Sequence, residues 1–246
     1  MLSYIESCLN VLEAGKKIYL DFISPIHCQI CNSQCGDNQI IFRLCNQCFY
    51  SLDYSPDKEH LLNSLYSKKK GDDSALSSIS SYVELTSESN VELLIYALKY
   101  DYSSRIGFDF GKILGKKIVN DSTYSTIDLI VPVPLHAARI RERTYNQSLY
   151  IAKGIQEIIH KRIENTCLQR IMYSGSQTLL NVSERSSNMS DTIFKVNNKD
   201  IIHHASILLV DDIFTTGATL EACANTLLLE GASCVHGITI ASAPLR

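Results

Sequence analysis

The sequence contains no tryptophan, in a composition otherwise ordinary for a globular protein. It also lacks an excess of charge of either sign. Twenty-three Lys and Arg stand against 26 Asp and Glu, a formal net charge of −3. That balance removes any global electrostatic argument for nucleic acid. No apolar run approaches the length that crosses a bilayer, so an integral membrane protein is not expected. The first residues lack a basic segment leading into an apolar core, so no secretory signal is expected. The expected compartment is therefore the reducing cytoplasm.

What the chain has in quantity is cysteine, nine in 246 residues, and they are clustered. Clustering points to metal rather than to a disulfide framework. Cys28 and Cys31 form one Cys-x-x-Cys pair and Cys45 and Cys48 another, with thirteen residues between them. Two such knuckles at this separation predict a Cys₄ zinc site, each tight turn supplying two thiolates. Four thiolates leave no open position, so the zinc would be structural. So short a segment cannot bury a core of its own, and metal would supply its folding energy. Cys35 could replace one ligand, and His27 is an extra candidate, though an ordinary turn residue reads as well there.

The chain length allows one domain of ordinary size plus a small module. Leu2, Ile5, Leu9 and Leu12 recur at helical spacing, weakened by Gly15 near the end. From Ser51 to Ser78 the pattern loosens, and Lys68-Lys69-Lys70-Gly71-Asp72-Asp73 reads as an exposed linker. A domain boundary is expected here, giving an N-terminal helix plus zinc module over 1–70 and an α/β domain over 79–246. Beyond it, Ile79–Leu85 reads as a strand. Val91, Leu94, Ile95 and Leu98 mark a helix capped by Asn90, and 107–118 marks another. Residues 128–133 read as a parallel strand that Pro132 ends, 149–163 as a helix, and 192–196 as a short strand. The Ser-rich stretches 174–178 and 183–190, with Gln177, Arg185 and Asn188, are a candidate lid over a reactive site. A helix over 221–229, capped by Gly231, leads to a final strand over 235–241.

The most informative stretch is Ile207–Leu220. Ile207, Leu208, Leu209 and Val210 form a short apolar run, expected to be a strand buried on both faces. Asp211 and Asp212 follow at its carboxyl end. Thr215, Thr216, Gly217, Ala218 and Thr219 then turn the chain into a helix expected to begin near Leu220. In open α/β sheets, ligands bind beyond the carboxyl ends of strands. A helix start exposes free amides and a positive dipole end, which suit a phosphate. Gly217 would let the backbone approach that anion, and the threonines add hydroxyl donors. Two carboxylates cannot bind the same phosphate and suit ribose hydroxyls or Mg²⁺. A phosphorylated sugar is the ligand class implied. The plain structural alternative is a buried strand ending in an Asx turn and a helix cap. Upstream, Arg139, Arg141 and Arg143 place three cations within five residues, suited to phosphate oxygens or to a solvated helix face. His136 is a weak candidate base.

VDDIFTTGATL resembles the phosphoribosyl pyrophosphate (PRPP) loop of type I phosphoribosyltransferases. With CxxC…CxxC, ALKYDY, VPVPLHAARIRERTYNQ and the Ser-Glu-Arg185-Ser-Ser-Asn188 segment, the order resembles the ComF family over about residues 25–241. Where many relatives read Arg-Gly-Phe-Asn-Gln, this chain has Arg143-Thr144-Tyr145-Asn146-Gln147.

The resemblance implies a mostly parallel sheet flanked by helices, of type I phosphoribosyltransferase kind. It implies Asp211 and Asp212 as the catalytic pair on the ribose 2′- and 3′-hydroxyls, and residues 215–219 around the 5′-phosphate. Arg139 and Arg143 would meet the pyrophosphate, with Mg²⁺ accompanying PRPP. It further implies a role in handling single-stranded DNA during natural transformation, near a competence helicase. The arginine segment with Tyr145 could itself grip single-stranded DNA. An active transferase with an unknown acceptor is the alternative.

Overall fold

The computed structural model describes residues 25–68, 74–86, 90–101, 103–171 and 193–244. The expected N-terminal helix and both candidate lid stretches lie outside the described residues. The chain divides into two compact units, Met1–Ser51 and Leu52–Arg246.

In the smaller unit the two cysteine knuckles are built from turns and one short helix, α1 (Asn46–Tyr50). The Cys28 amide donates to Ser33 O at 2.9 Å and the Asn32 amide to Cys28 O at 3.0 Å, closing the first turn. Asn32 and Arg43 take the left-handed conformation, with φ of 57° and 60°. Ile41, Leu44 and Phe49 are buried.

The larger unit opens with α2 (Lys58–Lys68), in a region whose sequence reads as linker. Its start is fixed by Asp57, whose Oδ1 accepts from the His60 amide at 2.8 Å. Leu61 and Leu65, one turn apart, are buried in the core of this unit. Leu62 packs against the same core partly buried, and three leucines within five residues span little more than one turn, too little periodicity to stand out. Because α2 belongs to this core, the division after Ser51 falls ahead of the boundary expected between 70 and 79.

There follow β1 (Ser78–Glu84), α3 (Val91–Tyr100), α4 (Ser104–Ile118), β2 (Leu129–Pro132), α5 (Ala137–Arg143), α6 (Gln147–Ile159), β3 (Arg162–Ile163), β4 (Leu168–Arg170), β5 (Phe194–Val196), α7 (Lys199–Ile202), β6 (Ser206–Phe214), α8 (Ala218–Leu229) and β7 (Cys234–Ser242). Five strands make one sheet in the order β1-β7-β6-β2-β3, with every neighbouring pair parallel. β4 and β5 pair antiparallel in a separate two-stranded sheet. The expected class, a mostly parallel sheet flanked by helices, is borne out.

Ile207 and Leu209 of β6 pack in a cluster with Leu61, Leu65, Leu220, Cys223 and Leu227 of α2 and α8. By the alternation of a strand, Leu208 and Val210 face the opposite side, where α4 and α6 lie. Those two helices approach through glycine. A Cβ on Gly111 would lie 2.1 Å from Ile151 O, and one on Gly154 2.0 Å from Phe108 O.

Two expected boundaries shift, for reasons of pairing. The helix expected over 149–163 runs from Gln147 to Ile159 and stops at His160, whose φ of 55° is left-handed. Arg162 and Ile163 then pair with Leu129 and Ile130 instead of continuing the helix. Likewise β6 does not stop at Val210. It runs on because β7 does, with Asp211 opposite Thr239 and Phe214 opposite Ser242. The acidic pair therefore sits inside the last turn of pairing and not past the strand's end.

Candidate functional site

Among the described residues, one group of side chains could hold a metal ion: Cys28, Cys31, Cys45 and Cys48, with sulfurs mutually within 4.8 Å. Cys35 and His27 are not part of it. Cys31 and Cys45 Sγ are 3.7 Å apart. A tetrahedral ion with metal–sulfur bonds of about 2.3 Å requires sulfurs separated by about 3.8 Å, so the four fit an ion such as zinc. The Ser33 hydroxyl, 3.0 Å from Cys31 Sγ, holds that thiol down at about 6. The Cys48 amide donates to Cys45 Sγ at 3.4 Å and lowers that thiol as well. Burial pushes Cys48 up. Two of the four are thus biased toward the thiolate, the form that binds metal.

In the larger unit, the carboxyl ends of β2 and β6 gather most of the candidate residues. Asp211 Oδ1 accepts from Ser148 Oγ at 3.0 Å and from the Asp212 amide at 2.9 Å. Burial pushes Asp211 up to about 7, and the neighbouring Asp212 charge pushes the same way. Asp212 is paired with Lys99, Oδ2 to Nζ 3.0 Å, with both side chains largely shielded. Lys99 closes α3 and Ser148 opens α6, so each carboxylate is held by a different helix. Asn146 fixes the second of these. It accepts from the Ser148 amide at 3.1 Å and donates to Val133 O at 3.0 Å, tying the start of α6 to the end of β2.

The Thr-Thr-Gly-Ala-Thr turn follows directly. Thr215, Thr216 and Ala218 are exposed, Thr219 is half-buried and Gly217 is buried. Gly217 has φ of +78° and caps α8, which begins at Ala218, two residues before the expected start. A side chain here is excluded twice, by that backbone angle and by Leu65 Cδ2, which a Cβ would meet at 2.2 Å. The amides of the first turn of α8 have no intrahelical acceptors and surround a small hollow lined by Asp211, Phe214, Thr215, Gly217 and Thr219.

The arginine segment is a helix, and its cations diverge. Residues two apart on a helix do not share a face. Arg139 pairs with Glu142 at 3.1 Å on the outside, and Arg141 is exposed. Arg143 turns inward, its guanidinium 5.4 Å from the centre of the Tyr100 ring and donating to Gln147 Oε1 at 3.2 Å. Its Nε and Gln147 Nε2 are buried without a hydrogen-bond partner among the described residues. His136 caps α5, with Nδ1 accepting from the Ala138 amide at 3.2 Å, a structural use. Tyr145 donates to Leu98 O, and burial holds its hydroxyl at about 12. The sequence reading passed over Lys99, Tyr100 and Ser148 as site residues. Lys99 and Tyr100 lay in the ALKYDY segment, and Ser148 directly follows Asn146-Gln147, but nothing local ties any of them to the acids.

No family model matches the chain. Among curated proteins, competence protein ComFC of Bacillus subtilis is 29% identical over 148 residues, covering 60% of this chain and 52% of that protein. Competence protein F of Haemophilus influenzae is 27% identical over 100 residues, covering 41% and 44%.

Over these stretches the chain is similar to competence proteins of the ComF kind.

DNA utilization protein YhgH of Escherichia coli K12 is also similar, 26% identical over 146 residues, covering 58% of this chain and 63% of YhgH. The chain spans less than two thirds of the length of each of these relatives. Solved structures that align include a glutamine PRPP amidotransferase from B. subtilis, complexed with ADP and GMP, at 19% identity and a TM-score of 0.39. That alignment covers 58% of this chain and 30% of the amidotransferase. A purine phosphoribosyltransferase from Pyrococcus horikoshii aligns at 18% identity and a TM-score of 0.36, covering 57% and 75%. Among the described residues, no helix is long and apolar enough to cross a membrane.

Proposed function

We propose that the larger unit binds PRPP or a related phosphoribosyl ligand at the carboxyl end of β6, and that the protein serves the handling of single-stranded DNA in natural transformation. The observation that carries the first half is the placement of the acid pair. Asp211 and Asp212 precede a turn whose buried, left-handed Gly217 opens α8 onto a hollow. The kinship with competence proteins carries the second half.

In this reading the exposed hydroxyls of Thr215 and Thr216, Thr219 and the first amides of α8 receive the 5′-phosphate. Asp211 and Asp212 accept from the ribose hydroxyls. Lys99 and Ser148 hold the two carboxylates in place before the ligand arrives, which limits reorganisation on binding. Arg143, whose Nε has no partner among the described residues, faces the pyrophosphate, and Arg139 joins it on leaving Glu142. Mg²⁺ bound with the pyrophosphate would offset its charge. In the other unit, Cys28, Cys31, Cys45 and Cys48 hold a structural zinc, and the chain works as a zinc module joined to a phosphoribosyl domain. Its setting is the cytoplasm, with a competence helicase or another DNA-processing protein as partner.

The test is calorimetric titration of PRPP with Mg²⁺ into the zinc-loaded protein, beside Asp211→Asn/Asp212→Asn. Saturable binding that the double variant loses supports a working phosphoribosyl site. Absence of binding by the folded wild type would remove it. A second reading, an active transferase, shares the same geometry. Pyrophosphate release that depends on an added acceptor distinguishes it from binding alone.

A further inference from the structure

A second cluster of reactive groups lies at the opposite end of the sheet, among the amino ends of β1 and β7. Cys234 opens β7 and is partly exposed, while His236, two residues on, is buried. Residues two apart on a strand share a face. Cys234 Sγ accordingly lies 3.2 Å from His236 Nε2, and it donates to Ser77 Oγ at 3.1 Å. The other ring nitrogen, Nδ1, is 2.8 Å from the hydroxyl of the buried Ser78 on β1. Tyr124 packs edge-on against the imidazole, with ring centres 5.4 Å apart.

These contacts fix the histidine on three sides. Ser78 holds Nδ1, the Tyr124 ring braces the plane, and Nε2 is left to the thiol. With the proton on Nδ1 and donated to Ser78 Oγ, Nε2 presents its lone pair to Cys234. A thiol with a positioned base on one side and a rotatable hydroxyl on the other is the arrangement that activates a cysteine nucleophile. Burial disfavours the His236 imidazolium, Asp121 favours it, and Lys58, itself paired with Asp121 at 2.8 Å, opposes it.

We infer that Cys234 is a modification site, activated by His236, that reacts with low-molecular-weight disulfides of the glutathione type. This rests on none of the residues of the phosphoribosyl site. In the step, the Cys234 proton passes to His236 Nε2, and the Ser77 hydroxyl turns to donate to the thiolate. The thiolate attacks one sulfur of the disulfide. A new sulfur–sulfur bond forms, the old one breaks, and its electron pair leaves with the second thiolate, which takes the proton back from Nε2. Cys234 is oxidised to a mixed disulfide and one equivalent of free thiol is released. No additional oxidant is needed.

An unperturbed cysteine is about 3% thiolate at pH 7, which leaves room for a gain of up to about thirtyfold. The experiment treats the full metal-loaded chain with oxidised glutathione at pH 7 and follows the Cys234 peptide by mass spectrometry. The same peptide in the urea-unfolded chain is the reference. Modification about tenfold faster in the folded protein is expected. His236→Asn should return the rate to the reference, and Ser78→Ala should lower it by less. A folded-chain rate no faster than the unfolded one overturns the proposal, as does an unchanged rate in folded His236→Asn. Should that variant not fold, the wild-type comparison alone decides.

Discussion

Asp211 is a carboxylate that the fold holds at a cost, and removing its charge should stabilise the protein while abolishing its proposed use. Its folded value is about 7, raised first by burial and then by the Asp212 charge. An unfolded aspartate titrates near 3.9. The folded state therefore binds the proton more tightly, and the stability that the protonated form contributes is complete below about pH 4. It is lost as pH rises toward 7. Each unit of difference is worth about 1.4 kcal/mol, so three units set a ceiling of about 4 kcal/mol at pH 8. Asn at this position keeps the acceptor oxygen for Ser148 Oγ and the Asp212 amide. It also withdraws one of the carboxylates near Lys99, which returns part of the gain. Asp211→Asn should thus be more stable than the wild type by about 2 kcal/mol at pH 8, a rise of roughly 4–8 °C in Tm for a chain of this size. The advantage should shrink steadily toward pH 4. Thermal unfolding of both proteins from pH 4 to pH 8 measures it directly. A variant no more stable at pH 8, or a difference that does not change with pH, would refute the assignment of a half-buried, destabilising carboxylate. Calorimetry on the same samples should show PRPP binding lost.

Three further outcomes are expected. Lys99→Met leaves Asp212 buried without its cation, and urea unfolding should show a loss of about 3 kcal/mol at neutral pH. Lys99→Met/Asp212→Asn should recover most of it, and failure to recover would mean that Lys99 acts through packing. Gly217→Ala forces a Cβ toward Leu65 at a left-handed position and should cost about 1–3 kcal/mol in the urea midpoint, where an unchanged midpoint would contradict the packing described. Zinc chelation should abolish amide-exchange protection across residues 25–51 while β6 and β7 keep theirs, and retained protection with the metal removed would argue against metal-supplied folding.

Much of this protein was legible before any coordinates. The cysteine spacing identified Cys28, Cys31, Cys45 and Cys48, because two knuckles on tight turns are local structures whose ligands are set by short-range geometry. The apolar run at Ile207–Val210 announced a strand buried on both faces, and Gly217 a turn that a side chain would obstruct. These features are encoded within a few residues of themselves, so periodicity and turn chemistry suffice to read them.

Other features depend on segments distant in sequence. Pairing with β7 carried β6 through Asp211 and Asp212, where local pattern would have stopped it. The core of the larger unit made Lys58–Lys68 a helix anchored by Leu61, Leu62 and Leu65. Helical geometry set Arg141 apart from Arg139 and Arg143, although adjacency in sequence grouped the three together. Lys99 meets Asp212, and Ser148 meets Asp211, across separations of more than a hundred and of 63 residues. Cys234 and His236 become a pair with Ser78 only because β1 lies beside β7. The sequence by itself determined the paired cysteine knuckles, the buried strand and the glycine turn that opens α8. Only the tertiary structure decided which cation and which hydroxyl hold the acids, since those contacts exist only once a parallel sheet has gathered the ends of its strands.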